Sequence, residues 1–541
     1  MDNQRLILFL VFSFSILMLW DGWERQHAPE ILSPQVQQNV AKSQDVPTVS
    51  RSGQPAAIAQ ITETGSLGKG EKLLVKTDLL EAEIDTLGGD IRHLELLRHK
   101  ATEDKTKNFV LLDDRQKSHL YVAQSGLISN GLPNHKTLYT AKAGAYALAD
   151  GSDSLEVKLS WQDAAGIQVD KVYTFHRGSY VIDVRYDIRN GSGTVIEPFA
   201  YFQLVHDSAS AEGSMMMPTF TGAAYFTETD KFKKISFDEM KKANLSKNAN
   251  DGWIGMVQHY FVSAWLPKQE SAREYYTDQL GNDLFSVGSK QSMGTVASGG
   301  SGTIGARLFS GPQEQAHLKE VAPGLEYAVD YGWLTVVATP LFWLLSQIQK
   351  LVQNWGVAII LLTVLIKAVF YPLSAASYKS MAQMRKVAPR LQQIKERYGD
   401  DREKLHKAMM ELYKNEKINP MGGCLPIIVQ VPVFIALYWV LLGSVEMRQA
   451  PFMLWITDLT ATDPYFVLPV LMGASMIIQT SLNPTPPDPI QAKMMKIMPV
   501  AFSVFFFFFP SGLVLYWLVN NILSIAQQWA INRSIEGGSK A

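Results

Sequence analysis

Between Asn419 and Ile531 only seven side chains carry a charge: Glu446, Arg448, Asp458, Asp463, Asp488, Lys493 and Lys496. Soluble domains carry charge on roughly a quarter of their residues, so a stretch this depleted avoids water. The whole chain of 541 residues is 47% hydrophobic and 19% charged, because its first part is ordinarily polar. The pattern describes a polytopic α-helical membrane protein with a large soluble part attached. Lys+Arg number 50 against Asp+Glu 51, which leaves no basic footprint and no expectation of nucleic-acid sequence recognition. The one cysteine, Cys424, forbids an internal disulfide and any CxxC zinc or redox site.

Leu6 to Trp20 is apolar apart from Ser13 and Ser15, and Arg5 precedes it. Neither a small-x-small cleavage site nor a lipoprotein cysteine follows, and Trp20 and Trp23 suit a membrane interface. Residues 1–26 are therefore expected to form a transmembrane anchor, close to the ~20 residues that span a bilayer. Residues 27–70, rich in Pro, Gln, Ser, Thr and Gly, read as a flexible linker.

From about Glu71 the hydropathy alternates with period two. Leu155–Trp161, Val169–Phe175 and Tyr180–Tyr186 interleave branched and aromatic residues with polar ones, and Asn130-Gly131 and Asn190-Gly-Ser-Gly193 mark turns. A large β-sandwich is expected over 71–325. The exposed aromatics and His206-Asp207 could be a carbohydrate site or an acid/base pair, but ordinary strand packing and turn chemistry is the preferred reading. No metal-ligand spacing, nucleophile elbow or phosphate loop occurs in this region, so it reads as a binding or scaffolding module.

Five apolar spans are expected within 354–532: Asn354–Tyr371 closed by Pro372, Pro420–Gly443, Tyr465–Leu482, and two helices in the charge-free run Ile497–Asn532 joined at Pro510-Ser511-Gly512. With the anchor there are six. Residues 376–419 hold eleven Lys/Arg and six Asp/Glu, whereas 444–464 holds one Arg and three acids. The positive-inside rule then places 376–419 and the tail 533–541 in the cytoplasm, with the β domain outside. Residues 331–353 are expected to lie as an amphipathic helix in the interface, with Gln347, Gln349 and Lys350 turned to water.

Lys367 falls inside a span, where an ionisable group costs roughly 2.5–3.5 kcal/mol and marks a functional site by default. A lysine snorkelling to the interface is the alternative. Thr363 lies one turn away on the same face, and Gln430, Ser475, Gln479, Asn520 and Asn521 place polar groups in other spans. With no acidic residue in any span to pair Lys367, the set suggests a hydrated, positively charged cavity. Ion-coupled transport usually needs intramembrane Asp, Glu or His; none is present, nor is an ATP-binding loop or an HExxH motif. No cofactor, metal or catalytic residue is expected. The segment 376–419 reads as a helical hairpin turning at Gly399-Asp400-Asp401. Its basic residues, Arg385, Lys386, Arg390, Lys395 and Arg397 among them, with Met381 and Met384, suggest a docking surface for a ribosome or targeting receptor. A charged hairpin held together by its own apolar stripe is the plainer reading.

The string Asn419-Pro-Met-Gly-Gly-Cys-Leu-Pro-Ile-Ile-Val-Gln-Val-Pro432 resembles the start of the third span in the YidC/Oxa/Albino family of membrane protein insertases. Tyr371-Pro372-Leu373, Gly443–Phe452 and Phe509-Pro-Ser-Gly-Leu-Val-Leu515 are similar to further motifs of that family, and the likeness covers essentially the whole chain. The resemblance implies a non-enzymatic insertase and folding chaperone for nascent inner-membrane proteins, working alone or with the Sec translocon, SecD included. It implies a five-helix core with a groove open to the cytoplasm and to membrane lipid, and a periplasmic supersandwich domain. Signal-recognition or ribosomal components would deliver the substrate. The position usually held by arginine matches Lys367, which keeps the charge but loses the planar fork. Tyr516 and Trp517 match the family's substrate contacts on the last span. Two rivals remain: a solute transporter with an external capture domain, and an anchored carbohydrate enzyme needing paired carboxylates in the β domain.

Overall fold

The structure is a computed structural model and describes residues 46–47, 67–115, 119–129, 131–208, 219–281, 283–399, 401–416, 425–482 and 489–537. The expected anchor over 1–26, most of the linker, the 419–424 part of the family motif and the end of the tail lie outside the described residues. The chain divides into two compact units at Asp330/Tyr331.

The first unit is a two-sheet β structure, as the alternating pattern requires. Strand Val181–Asn190 shows the reason: Ile182, Val184, Tyr186 and Ile188 are buried while the residues between them are less so. One sheet has ten strands among the described residues. Its central run is Arg273–Gln279, Leu284–Ser292, Phe199–Asp207, Tyr121–Ile128, Asp90–Lys100, Leu80–Asp85 and Lys72–Lys76. The second has nine, centred on Trp253–Gln258, Phe261–Pro267, Ser301–Pro312, Val181–Asn190 and Ile167–His176. Phe202 of the first meets Trp265 of the second at 5.2 Å between ring centroids, and both are essentially unexposed. Two short helices, α1 (Phe237–Lys242) and α2 (Gln315–Val321), complete the unit.

A chain of polar side chains crosses this core. Gln124 donates to Asp90 at 3.0 Å, Gln203 to Gln124 at 2.9 Å, and Tyr276 to Gln203 at 2.7 Å. Lys171 reaches over from the other sheet, with no exposed surface, and donates to the carbonyls of Gly88 (2.9 Å) and Ser125 (3.2 Å). Burial pushes the Asp90 carboxyl up to about 7 and the Lys171 amine down to about 8, and the opposite charge of each only partly offsets this. Buried polar groups persist when they are hydrogen-bonded, and these are tied to each other and to backbone. His206 is likewise fully buried, and burial pushes its imidazole down to about 4. Its Nδ1 donates to the Asp207 carbonyl, while the Asp207 carboxylate accepts from the Leu120 amide at 2.6 Å and contacts His119 at 3.2 Å. An imidazole so enclosed packs within the sheet.

The second unit is helical. Helix α3 (Thr335–Val352) follows a short 3-10 turn at Gly332–Leu334 and ends at Gln353 in the left-handed region (φ 52°). Helix α4 (Trp355–Val369) is capped by Asn354, whose side chain accepts from the Val357 amide at 3.0 Å. Helix α5 (Tyr371–Tyr398) departs from it at a 66° bend. Pro372 was expected to close a span, but it stands in the first turn of α5. The missing N–H is harmless at that position, and the fixed φ favours helix initiation. The first hairpin arm is therefore continuous with Tyr371 and does not begin afresh near 376.

Helix α6 (Arg402–Asn415), capped by Asp401, folds back on α5. Val387 and Leu391 are buried in the seam against Met384, Met409, Leu412 and Tyr413. Met384 thus holds the hairpin together, whereas Met410 is half exposed. Helices α7 (Leu425–Gly443), α8 (Val467–Leu482), α9 (Pro489–Phe505) and α10 (Ser511–Gly537) follow. The last continues past the expected boundary at 532, so residues 533–537 belong to the helix. Among the described residues no single helix is both long and apolar enough to cross a membrane alone, while α4 and the first half of α5 are so as a bent pair. Helix α10 packs on α8, α4 and α5.

Candidate functional site

Over residues 513–526 helix α10 is apolar except for a stripe at Asn520, Asn521 and Ser524, which Gln528 continues. Asn520 and Ser524 lie four residues apart on one face, with Asn521 and Gln528 beside them. The structure turns this stripe inward, and all four are buried. The Lys367 ammonium on α4 donates to Ser524 Oγ at 2.7 Å. The Ser524 hydroxyl in turn donates to the Asn520 backbone carbonyl at 2.7 Å. From α7, Gln430 Nε2 donates to Asn520 Oδ1 at 2.7 Å. Asn521 donates to Ser475 of α8 at 3.1 Å, and Gln528 to the Leu482 carbonyl at 3.2 Å.

Lys367, Gln430 and Asn520 line one small pocket, about 20 Å³, together with Ile366, Phe370, Leu373, Ser374 and Val433. Four helices, α4, α5, α7 and α10, meet there. The pocket is largely apolar, with a cation and two amides at one place. Such a lining offers one cation and two amides to an acidic or amide group in an otherwise apolar surround.

The other expected site residues are placed differently. Thr363 is buried, but its hydroxyl donates to the Ile359 carbonyl of its own helix at 2.6 Å, and it does not line the pocket. Gln479 is partly exposed on α8 and is not among the lining residues. Tyr516 is buried with its ring 6.2 Å from Phe434. Trp517 packs edge-on against Phe434 at 4.5 Å and lies 5.4 Å from Phe506. On the hairpin, Lys386 and Arg397 are exposed, and Arg390 is 65% exposed while pairing with Glu416. Lys395 and Met381 are partly buried, and the Arg385 side chain lies outside the described residues. Sequence reasoning passed over Ser524 and Ser374. The four-residue spacing from Asn520 was the available signal for Ser524.

The segment between α7 and α8 is pinned by two of the seven sparse charges. Asp458 accepts from the Gln449 and Thr460 amides and the Thr460 hydroxyl. Asp463, 1% exposed, accepts from Trp455 Nε1 (3.0 Å) and from the Tyr465 (3.0 Å) and Leu468 (2.7 Å) amides at the start of α8. The α9–α10 turn is fastened to the same segment, with Ser511 and Gly512 amides donating to Ala461 and Leu459 carbonyls at 2.8 and 2.9 Å. Asp463→Ala removes the acceptor of the Leu468 amide at the start of α8 and of a part-buried indole N–H, a loss on the order of 2 kcal/mol. The variant should unfold at lower temperature in detergent than Asp463→Asn, which keeps an acceptor. Equal unfolding temperatures for the two and the parent chain would show that the carboxylate does not hold this segment.

Two family models match the chain: the YidC periplasmic domain over residues 72–344 and the 60Kd inner membrane protein over residues 347–538. A membrane protein insertase YidC of Methylobacillus flagellatus is 64% identical over 99% of this chain and 98% of its own length. One from Nitrosospira multiformis is 53% identical over 100% and 98%. Among solved structures, an active YidC insertase with its first transmembrane domain resolved is 20% identical, covering 85% of this chain and 92% of that one, with a TM-score of 0.39. A pocket with a lone cation at the meeting of four helices, two family models that between them take in both units, and full-length relatives at this identity lead to one assignment: the chain belongs to the YidC family of membrane protein insertases.

Proposed function

We propose that this protein inserts nascent membrane proteins into the bacterial inner membrane, and that the Lys367 pocket receives the polar, translocated part of the substrate. The observation that carries the pocket assignment is the Lys367 ammonium held beside the Gln430 and Asn520 amides in an otherwise apolar setting. A cation tied to a neutral hydroxyl keeps its charge available, and an acidic tail segment would be drawn to it. Helices α4 with the start of α5, α7, α8, α9 and α10 serve as the five spans, with the hairpin of α5 and α6 in the cytoplasm and the β unit in the periplasm. Burial of the two seam residues leaves the exposed Lys386, Arg390 and Arg397 as the docking face for a ribosome or signal-recognition component. The β unit acts as a binding or scaffolding module toward the Sec machinery, SecD included. The transporter alternative has nothing in its favour beyond the presence of an external domain, and the burial of His206 argues against a hydrolytic centre at that residue.

The test is site-specific photocrosslinking in the full-length protein. A probe replacing Val433, which lines the pocket, should capture a ribosome-bound nascent inner-membrane protein. A probe replacing Val336, 84% exposed on α3, serves as the control. Capture at Val336 with none at Val433 would remove the pocket from the substrate path.

A further inference from the structure

We infer that Ser524 is the positioning residue for the Lys367 cation, fixing it on α10 through an oxygen whose own proton is already committed. The inference rests on the proposed role of the pocket and adds to it the group that orients the charge. The Ser524 proton goes to the Asn520 carbonyl, so its lone pairs face the ammonium as acceptors only. Ser524 is 3% exposed and Lys367 9% exposed, so water has little access to compete for that contact. Gln430 meanwhile occupies the Asn520 side-chain oxygen, which keeps that acceptor from drawing the ammonium away.

The chemistry favours a hydroxyl here over a carboxylate. An acidic anchor would fix Lys367 equally well but would cancel its charge. A neutral acceptor takes one of the three ammonium donors and leaves the unit charge and the remaining N–H groups for a substrate carboxylate. Lysine needs such an anchor because its four-carbon stem is flexible and its ammonium is strongly hydrated. Without one, the head group is free to swing toward water at the membrane interface.

The direct test measures the lysine in the full-length protein in nanodiscs. The rate of Lys367 acylation by acetic anhydride, read by mass spectrometry, should rise about tenfold in Ser524→Ala, because a charge-assisted hydrogen bond is lost. It should stay within about twofold of the parent rate in Ser524→Thr, whose hydroxyl can make the same i−4 bond. An unchanged rate in Ser524→Ala, or an equal rise in Ser524→Thr, would overturn the assignment. Insertion gives the second readout, using paired substrates that differ only in tail acidity. Ser524→Ala should slow the acidic-tailed one about threefold or more, spare the neutral one, and add nothing once Lys367 is alanine. A further loss on top of Lys367→Ala would mean that Ser524 acts independently of the lysine, against the inference. If Lys367→Ala itself fails to discriminate between the tails while the acylation rates change as expected, the charged-pocket reading falls and the Ser524–Lys367 anchor stands.

Discussion

Lys367→Glu should abolish insertion of substrates with acidic translocated tails, while Lys367→Arg retains it and Lys367→Ala falls between. The size of the effect follows from where the charge sits. Two unit charges about 4 Å apart interact by about 1 kcal/mol in bulk water but about 4 kcal/mol at an effective dielectric of ~20. If desolvation of both partners removes half of that, roughly 2 kcal/mol is left, on the order of a thirtyfold change in occupancy. Reversing the sign turns the attraction into a repulsion of similar size, so the glutamate variant loses more than the alanine variant. Arginine keeps the charge, and its longer fork can still reach an acceptor on α10. A snorkelling lysine would instead behave alike as alanine, arginine or glutamine. Insertion rates for paired substrates differing only in tail acidity separate the two. Equal defects for acidic and neutral tails would reduce Lys367 to a membrane anchor.

Replacing 379–415 with a short Gly/Ser linker should lower insertion of ribosome-delivered substrates at least tenfold while the remaining helices stay integrated. Residues 376–419 carry eleven basic and six acidic side chains, and the outward positions Lys386 and Arg397 are free of the apolar seam. The seam itself is a small core of Val387 and Leu391 with four partly buried neighbours. A second variant, Leu391→Asp, keeps every basic residue but places a charge in that core, which costs several kcal/mol if the hairpin stays closed. If the hairpin works as a folded docking face, both variants fail. If only its charge matters, Leu391→Asp inserts normally. Full activity of the deletion variant would sink the docking role altogether. Ribosome co-sedimentation with each variant provides the binding readout.

Much of the β unit was legible from the alternation of hydropathy, since a period of two fixes which side chains share a face. In Val169–Phe175 the phase that buries Val169, Tyr173 and Phe175 also carries Lys171 inward, so its burial was implicit in the pattern. Its environment was not, because Asp90 and Ser125 belong to the opposite sheet and Gly88 to a turn between two of its strands. In the helical unit, depletion of charge marked the apolar segments, and the isolated Lys367 marked the site. Pro372 was misplaced because a proline that ends one helix and a proline that begins the next look alike without the 66° bend between them.

The sequence by itself therefore determined the two-part organisation, the strand periodicity, the family motifs and the position of the one cation within a span. Only the tertiary structure decided what that cation touches. Ser524 lies 157 residues further along the chain, and periodicity says only that it shares a stripe with Asn520. Thr363 lies one turn from Lys367 in the sequence, yet it spends its hydroxyl on its own helix. Local pattern orients a side chain about the axis of its own element. Which faces of different helices meet is set by packing, and a hydrogen bond made over less than 3 Å depends on that meeting.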